Sequence, residues 1–294
     1  VGTSLDRRAV KDAQRATWDA LSAGWAEAQE VFERGAGLVT GRLLDLGDVR
    51  PGQTVLDVGT GLGEPALTAA RRVGRTGRVV ATDISPEMLR IARRRAGGLG
   101  DVAANIEFVE ADVEAQGLSP GAFDVVLSRW GLMFAVDHVA AFAGLRRLLR
   151  PGGVLAAAVW GPAEDAPVMA LGFASLSASL DLPPAPPDAP GPFSMTDPDV
   201  LTCELEAAGF SGVSVLETRV PFAFDSVGAF VAFTRAVTPP FLLDRIRERH
   251  GSPDAREAWR AVEAAAARFR TGSGGLYIPS KALCVQASNP GDGG

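Results

Sequence analysis

The run Val55-Leu56-Asp57-Val58-Gly59-Thr60-Gly61-Leu62-Gly63-Glu64 has the composition of a ligand-binding turn. A short apolar strand, residues 54–58, leads into three alternating glycines. A helix is expected from about Glu64, with Pro65 in its first turn and Gly74 at its far end. Glycines let the backbone bend sharply and let a ligand lie directly against it. Open α/β sheets bind their ligands at this end of the strands. A second strand, residues 78–82, ends at Asp83. An ionised carboxylate there can accept hydrogen bonds from both hydroxyls of a ribose; the competing reading is a cap for the helix that starts at Ser85-Pro86-Glu87. A third strand, 106–109, precedes Asp112, which could accept from the exocyclic amine of adenine or serve as an ordinary turn aspartate. The fourth, 123–127, runs into Ser128-Arg129-Trp130-Gly131 beneath the same site.

These groups need a scaffold that brings four strand ends together. From residue 53 to 160 strands alternate with helices, and the strands are nearly continuous apolar runs, as expected when helices cover both faces. The fold class is α/β, a doubly wound and mostly parallel sheet. Further strands are expected at 154–159, 213–219 and 282–287. Residues 1–50 read as an N-terminal helical cap, with Trp18, Leu21, Trp25 and Phe32 roughly on one face. The main domain spans 51–288. Within it a helical insert at about 226–272, with Phe222, Phe224, Phe230, Phe233 and Phe241 in or beside it, supplies either its own core or a lid over an apolar acceptor. Six prolines within residues 182–192 exclude helix and central strand there. Residues 289–294 are expected to be disordered.

Composition narrows the function. Apolar residues make up 47% of the 294, ample for a large core. The longest apolar run, residues 154–160, falls far short of the roughly 18 residues of a membrane span. The N-terminus lacks a basic-then-apolar leader, so a cytoplasmic location is the expectation. A net charge of −6 argues against nucleic acid as an obligate partner. The arginine groups at 71–72, 93–95 and 146–147 read as solvated helix faces. Cys203 and Cys284 have no zinc or disulfide spacing and read as buried small residues; no metal site is expected. His138 and His250 are weak candidates for a base, and no catalytic residue is assigned.

Asp57-x-Gly59-x-Gly61-x-Gly63, Asp83, Ala111-Asp112, Phe123-Asp124, Leu149-Arg150-Pro151-Gly152-Gly153 and Ala208-Gly209-Phe210 together resemble the class I S-adenosylmethionine-dependent methyltransferases, especially the ubiquinone and menaquinone biosynthesis group. The resemblance is densest over residues 50–160. It implies a Rossmann-like sheet of seven strands whose last runs antiparallel, and S-adenosyl-L-methionine as cofactor. By the same resemblance Asp57, Gly59, Thr60, Gly61 and Gly63 form the cofactor turn, with the glycines cradling the methionine and ribose portions. Asp83 holds the ribose. Ile84 and Met88 pack on the adenine, Asp112 and Val113 meet its edge, and Ser128, Arg129 and Trp130 line the floor near the sulfonium. The implied reaction is in-line methylation of oxygen, carbon or nitrogen on a small acceptor, amphipathic or aromatic. Two rivals stand beside it. An NAD-dependent oxidoreductase would want glycine or alanine where Glu64 stands, and a non-catalytic cofactor-binding protein would share every motif. A homodimer is the base-rate expectation.

Overall fold

Strands β1 (Thr54–Val58), β2 (Arg78–Asp83) and β4 (Phe123–Arg129) are buried along almost their whole length. The computed structural model describes residues 6–184, 186 and 189–291. With β3 (Ile106–Glu110), β5 (Leu149–Trp160), β6 (Ser211–Phe224) and β7 (Leu276–Ser288), these strands form one seven-stranded sheet in the order β3-β2-β1-β4-β5-β7-β6. The first five strands pair in parallel. β7 is antiparallel to both β5 and β6, as the resemblance implied. The strand order reverses between β1 and β4. In open α/β sheets the carboxyl ends of strands at such a reversal are where ligands bind.

Helix α1 (Arg7–Leu46) is one rod of 40 residues, about 60 Å long at the usual helical rise, where several N-terminal helices were expected. Asp6 caps it by accepting from the N–H groups of Arg8 and Ala9. Leu21, Ala28, Phe32, Ala36, Val39 and Leu43 recur at three- to seven-residue steps and are buried, so the rod has a continuous core-facing stripe. An ion pair with a buried guanidinium and a partly exposed carboxylate fixes it to the sheet. Arg129, at the end of β4, reaches both carboxylate oxygens of Glu33 and also donates to Thr40 Oγ1 at 2.8 Å. Burial pulls the Arg129 guanidinium down, and the Glu33 hydrogen bonds and charge more than offset this, leaving it above its ordinary value.

The crossover helices α2 (Ala66–Val73), α3 (Pro86–Gly97) and α4 (His138–Leu148) follow β1, β2 and β4. Beyond β5, α5 (Pro167–Ser179) and α6 (Pro198–Ala207) precede β6. The insert between β6 and β7 consists of α7 (Val227–Ala236), α8 (Pro240–His250) and α9 (Arg256–Ala266). Gly24 of α1 lies against the Ala236 carbonyl of α7 so closely that a Cβ there would stand 1.8 Å from its oxygen.

Two expectations are corrected. Asn289 is not a loose tail residue: it is 5% exposed, its N–H donates to Gly153 O, and its amide Nδ2 donates to Leu149 O at 2.8 Å. These bonds tie the chain to the start of β5. Residues 292–294 lie outside the described residues. Cys284 is buried as expected, but Cys203, on α6, is exposed.

Removing the carboxylate charge of this pair leaves the Arg129 guanidinium enclosed without compensation. Glu33→Gln should therefore lower stability by about 3 kcal/mol, read as a drop in the urea midpoint at unchanged slope.

Candidate active site

The glycine turn is held from below by a carboxylate. Asp57 is fully buried, and its Oδ2 accepts from Thr60 Oγ1 at 2.6 Å and from the Ala66 N–H at 2.9 Å. It thus joins the end of β1 to both the turn and the first residue of α2. Burial pushes the Asp57 carboxyl up to about 7, against the two hydrogen bonds that hold it down. Gly59, Gly61 and Gly63 all have positive φ, at 69°, 53° and 102°. At Gly59 a Cβ would stand 3.0 Å from Gly131 Cα, so two backbone turns meet there. At Gly61 nothing lies within 4 Å of where a Cβ would be, leaving open space over the middle of the turn. Arg95 of α3, half-buried rather than solvated as its run predicted, donates to the Leu62 carbonyl.

Asp83 stands at the tip of β2, 9% exposed. Its Oδ2 accepts from the Gly61 N–H at 2.8 Å and its Oδ1 from the Ser85 N–H at 2.9 Å. One carboxylate therefore bridges the glycine turn and the start of α3, and of the two competing readings the bond to Ser85 is the one this geometry contains. The helix cap proper is Ser85, whose Oγ accepts from the Met88 N–H. Burial pushes Asp83 up to about 6, opposed by the Ser85 and Gly61 N–H groups, while the charge of Asp19 adds to the rise. Each oxygen retains a second lone pair for a hydroxyl donor. Ile84 is half-buried and Met88 buried at this end. Asp112 Oδ1 accepts from the Glu114 N–H and pairs with Lys11 Nζ at 2.9 Å; Val113 packs against the core.

The floor is tightly built. Ser128 is fully buried and donates to the Val58 carbonyl at 2.8 Å, tying the ends of β4 and β1. The Arg129 side chain is engaged by α1. Trp130 has φ of 61° and its ring stacks on Trp160 with centroids 4.2 Å apart. Left-handed backbone at a bulky aromatic is strained, and such strain gathers at functional sites. His138 does not face this floor as a base would. Its Nδ1 lies 3.2 Å from Glu204 on α6, a contact between helices on the sheet's flank. His250 ends α8. Among the described residues no group of three or more histidines, cysteines and acids could hold a metal.

Sequence reasoning missed the contribution of α1. Asp19 accepts from Ser85 Oγ at 2.5 Å and from the Glu87 N–H, Gln14 donates to the Phe134 carbonyl, and Arg15 pairs with Glu110. With Lys11, these residues lie across the ends of β2 and β3. A signal existed: Lys11, Arg15, Asp19 and Ser22 recur at helical spacing on one face.

Residues 55–153 match a family model described as a methyltransferase domain. The chain is 39% identical over 112 residues to the ubiquinone/menaquinone biosynthesis C-methyltransferase of Enterobacter sp. (strain 638), which covers 38% of this chain and 44% of that protein. It thus spans less than half the length of the curated relatives it matches. Among solved structures, the YcgJ protein from Bacillus subtilis superposes with a TM-score of 0.55 at 18% identity, covering 86% of this chain and 98% of that one. Phosphoethanolamine N-methyltransferase 2 of Haemonchus contortus, solved with phosphomonomethylethanolamine and S-adenosylhomocysteine, gives 0.51 at 18% identity, over 90% of this chain and 53% of that one. The sheet has the fold of the methyltransferases among these solved structures, and residues 55–153 within it match the methyltransferase domain. That segment is similar to the ubiquinone/menaquinone C-methyltransferases.

The first and middle glycines of the turn predict different penalties. Gly59→Ala combines left-handed strain with the 3.0 Å clash and should cost about 2–4 kcal/mol of stability. Gly61→Ala meets open space and should cost only about 1 kcal/mol, yet abolish most binding of S-adenosylhomocysteine. Thermal unfolding and calorimetry on both variants separate the two effects.

Proposed function

We propose that this chain transfers the methyl group of S-adenosyl-L-methionine to a small organic acceptor, amphipathic or aromatic. The observation that carries the reading is the open space over Gly61 beside the Asp83 carboxylate, a cradle that a Cβ would fill. The residues present fit the cofactor. Gly59, Gly61 and Gly63 would offer bare backbone to its methionine and ribose portions, with Asp57 and Thr60 setting the shape of the turn. Asp83 would accept from the ribose hydroxyls. Ile84, Met88, Asp112 and Val113 would surround the adenine, and Ser128, Arg129 and Trp130 would support the reacting end. Bound there, the cofactor supplies a sulfonium methyl whose loss leaves a neutral thioether that needs no proton.

The protein's task is then alignment and the exclusion of water. A well-aligned pair of reactants gains roughly 7–11 kcal/mol over a free encounter. The α1 residues across β2 and β3 support that role by covering the adenosine end, and the N-terminal cap, residues 1–50, and the insert at about 226–272 would select the acceptor. No residue is assigned as a base. Among the described residues no helix is long and apolar enough to cross a membrane. Action in the cytoplasm on a small molecule, without nucleic acid and as a homodimer, completes the reading. Nothing in the site favours NAD: Glu64 occupies the position where the dinucleotide fingerprint needs a small residue, and its carboxylate bonds Thr68.

Calorimetry with S-adenosylhomocysteine tests the cofactor, and radiolabelled methyl transfer into small-molecule pools tests the reaction. Tight NAD binding with none of the adenosyl ligand would reject the assignment. Asp83→Ala should weaken binding by roughly 1.5–3 kcal/mol. The pH dependence has a defined sign. Asp83 must be ionised to accept from two hydroxyls, and in the free protein it takes up a proton as pH falls through about 6. Asp57, which shapes the same turn, takes up its proton near 7, so affinity should begin to decline as pH falls through about 7 and drop further, by up to about tenfold per unit, below 6. Asp83→Asn should lose the step near 6 and keep the one near 7 that belongs to Asp57.

A further inference from the structure

An open sheet carries a row of unpaired backbone donors and acceptors along each outer strand. Here the outer strands are β3 and β6. β3 has only 5 residues, and Arg93 of α3 donates to its Phe108 carbonyl at 3.0 Å. β6 has 14, and its middle has no such cover.

The groups of β6 that face outward follow from its neighbour. The Lys281 carbonyl of β7 accepts from the Gly161 N–H, on the β5 side of the strand. Backbone groups of successive strand residues point to alternate sides, so Lys281 and its register partner Arg219 are a pair without hydrogen bonds between them. The N–H and C=O of Glu217 and Arg219 therefore point off the sheet, and among the described residues nothing bonds to them. Pro221 belongs to the same outward series, where a missing N–H is tolerated. The edge is closed there, because α1 passes so near that a Cβ on Gly35 would stand 2.6 Å from the Pro221 carbonyl. At the other end the register shifts between Ser211 and Ser214. The open window is residues 215–219.

This window carries a charge pattern that complements itself. Glu217 and Arg219 are exposed, lie on one face of β6 and flank Thr218. Glu217 reaches Lys281 at 3.0 Å, and Arg219 has no ion pair among the described residues. With a second copy antiparallel along the edge and the two-fold axis at Thr218, each Glu217 stands opposite the partner's Arg219. The outward N–H and C=O of both residues then bond across the axis, and an opposite-charge pair sits on each side of it. A slip of two residues either way sets Glu217 opposite Glu217 or Arg219 opposite Arg219, so the charges favour a single register. Leu216 in the window, and Leu38 one turn on from Gly35, add exposed apolar surface.

We propose that the chain dimerises by pairing β6 with β6 of a second copy, antiparallel about Thr218; the proposal rests on the homodimer of the reading above and gives it a surface. Sedimentation across a range of concentrations reads the assembly, and amide exchange of the unaltered chain reads the edge. The Glu217 and Arg219 amides should exchange at least about tenfold more slowly in the dimer than on dilution, while that of Thr218, which faces β7, stays protected in both. Glu217→Arg or Arg219→Glu alone sets like charges face to face and should raise the dissociation constant at least about fivefold. The double swap should bring it back to within about twofold of the parent, and the two single variants should pair with each other when mixed. Thermal unfolding checks that the swaps leave the fold intact, and the exchange measurement stands without them. Glu217 and Arg219 exchange that ignores dimerisation, or a double swap no tighter than the singles, would overturn this edge while leaving a homodimer through another surface. A monomer at every concentration would reject the homodimer with it. Neither outcome touches the cofactor reading, which binding of S-adenosylhomocysteine tests separately.

Discussion

Two carboxylates taken out of water hold the glycine turn in shape, and the rest of the site depends on them. Asp57 ties the end of β1 to Thr60 and Ala66, while Asp83 ties the end of β2 to Gly61 and Ser85. Three residues at positive φ in five positions would otherwise be a floppy segment, since glycine loses more freedom on ordering than any other residue. Charged acceptors make the stronger hydrogen bonds, which is the advantage of carboxylates over amides here. Their enclosure raises both pKa values, so the turn is built from groups that titrate far above the usual carboxylate range.

The second constraint comes from α1. Its central third is locked to the sheet by apolar packing and the Arg129–Glu33 pair. Its first turns are held over the strand ends by polar contacts instead: Lys11 with Asp112 and Glu114, Arg15 with Glu110, Asp19 with Ser85. The Lys11 pairs and the Asp19–Ser85 bond are largely enclosed, while the Arg15–Glu110 pair lies open to solvent, where it is weak and screened by salt. The same helix thus contributes an apolar wall to the sheet and a polar cover to the strand ends.

The sheet was legible because both of its faces are covered, which turns the central strands into unbroken apolar runs. Local signals that act over a few residues also carried through, such as Ser85 and Pro86 at the start of α3. The last two strands read too short, at 213–219 and 282–287 against Ser211–Phe224 and Leu276–Ser288. Pro221 and Pro279 explain the shortfall: they face each other in a two-stranded extension beyond the reach of β5, where a missing N–H is tolerated. At the site, the sequence placed Asp83 and the glycines by their spacing from strand ends. It could not place Asp19, Lys11 or Glu33, because their partners lie far along the chain and are set by where a long helix happens to cross the sheet. Arg129 illustrates the converse. Its position beside the site was readable, but the direction of its side chain depended on Glu33.

The close approach of Gly24 to the Ala236 carbonyl bears on how the rod and the insert are spaced. It is a backbone-to-backbone seat between them, with no side chain there to give way. A side chain can turn to another rotamer when a neighbour grows, but a peptide carbonyl in a helix cannot. Any larger residue at position 24 therefore has to push the whole of α7 outward, so the width of the gap between rod and insert is set by one absent methyl group.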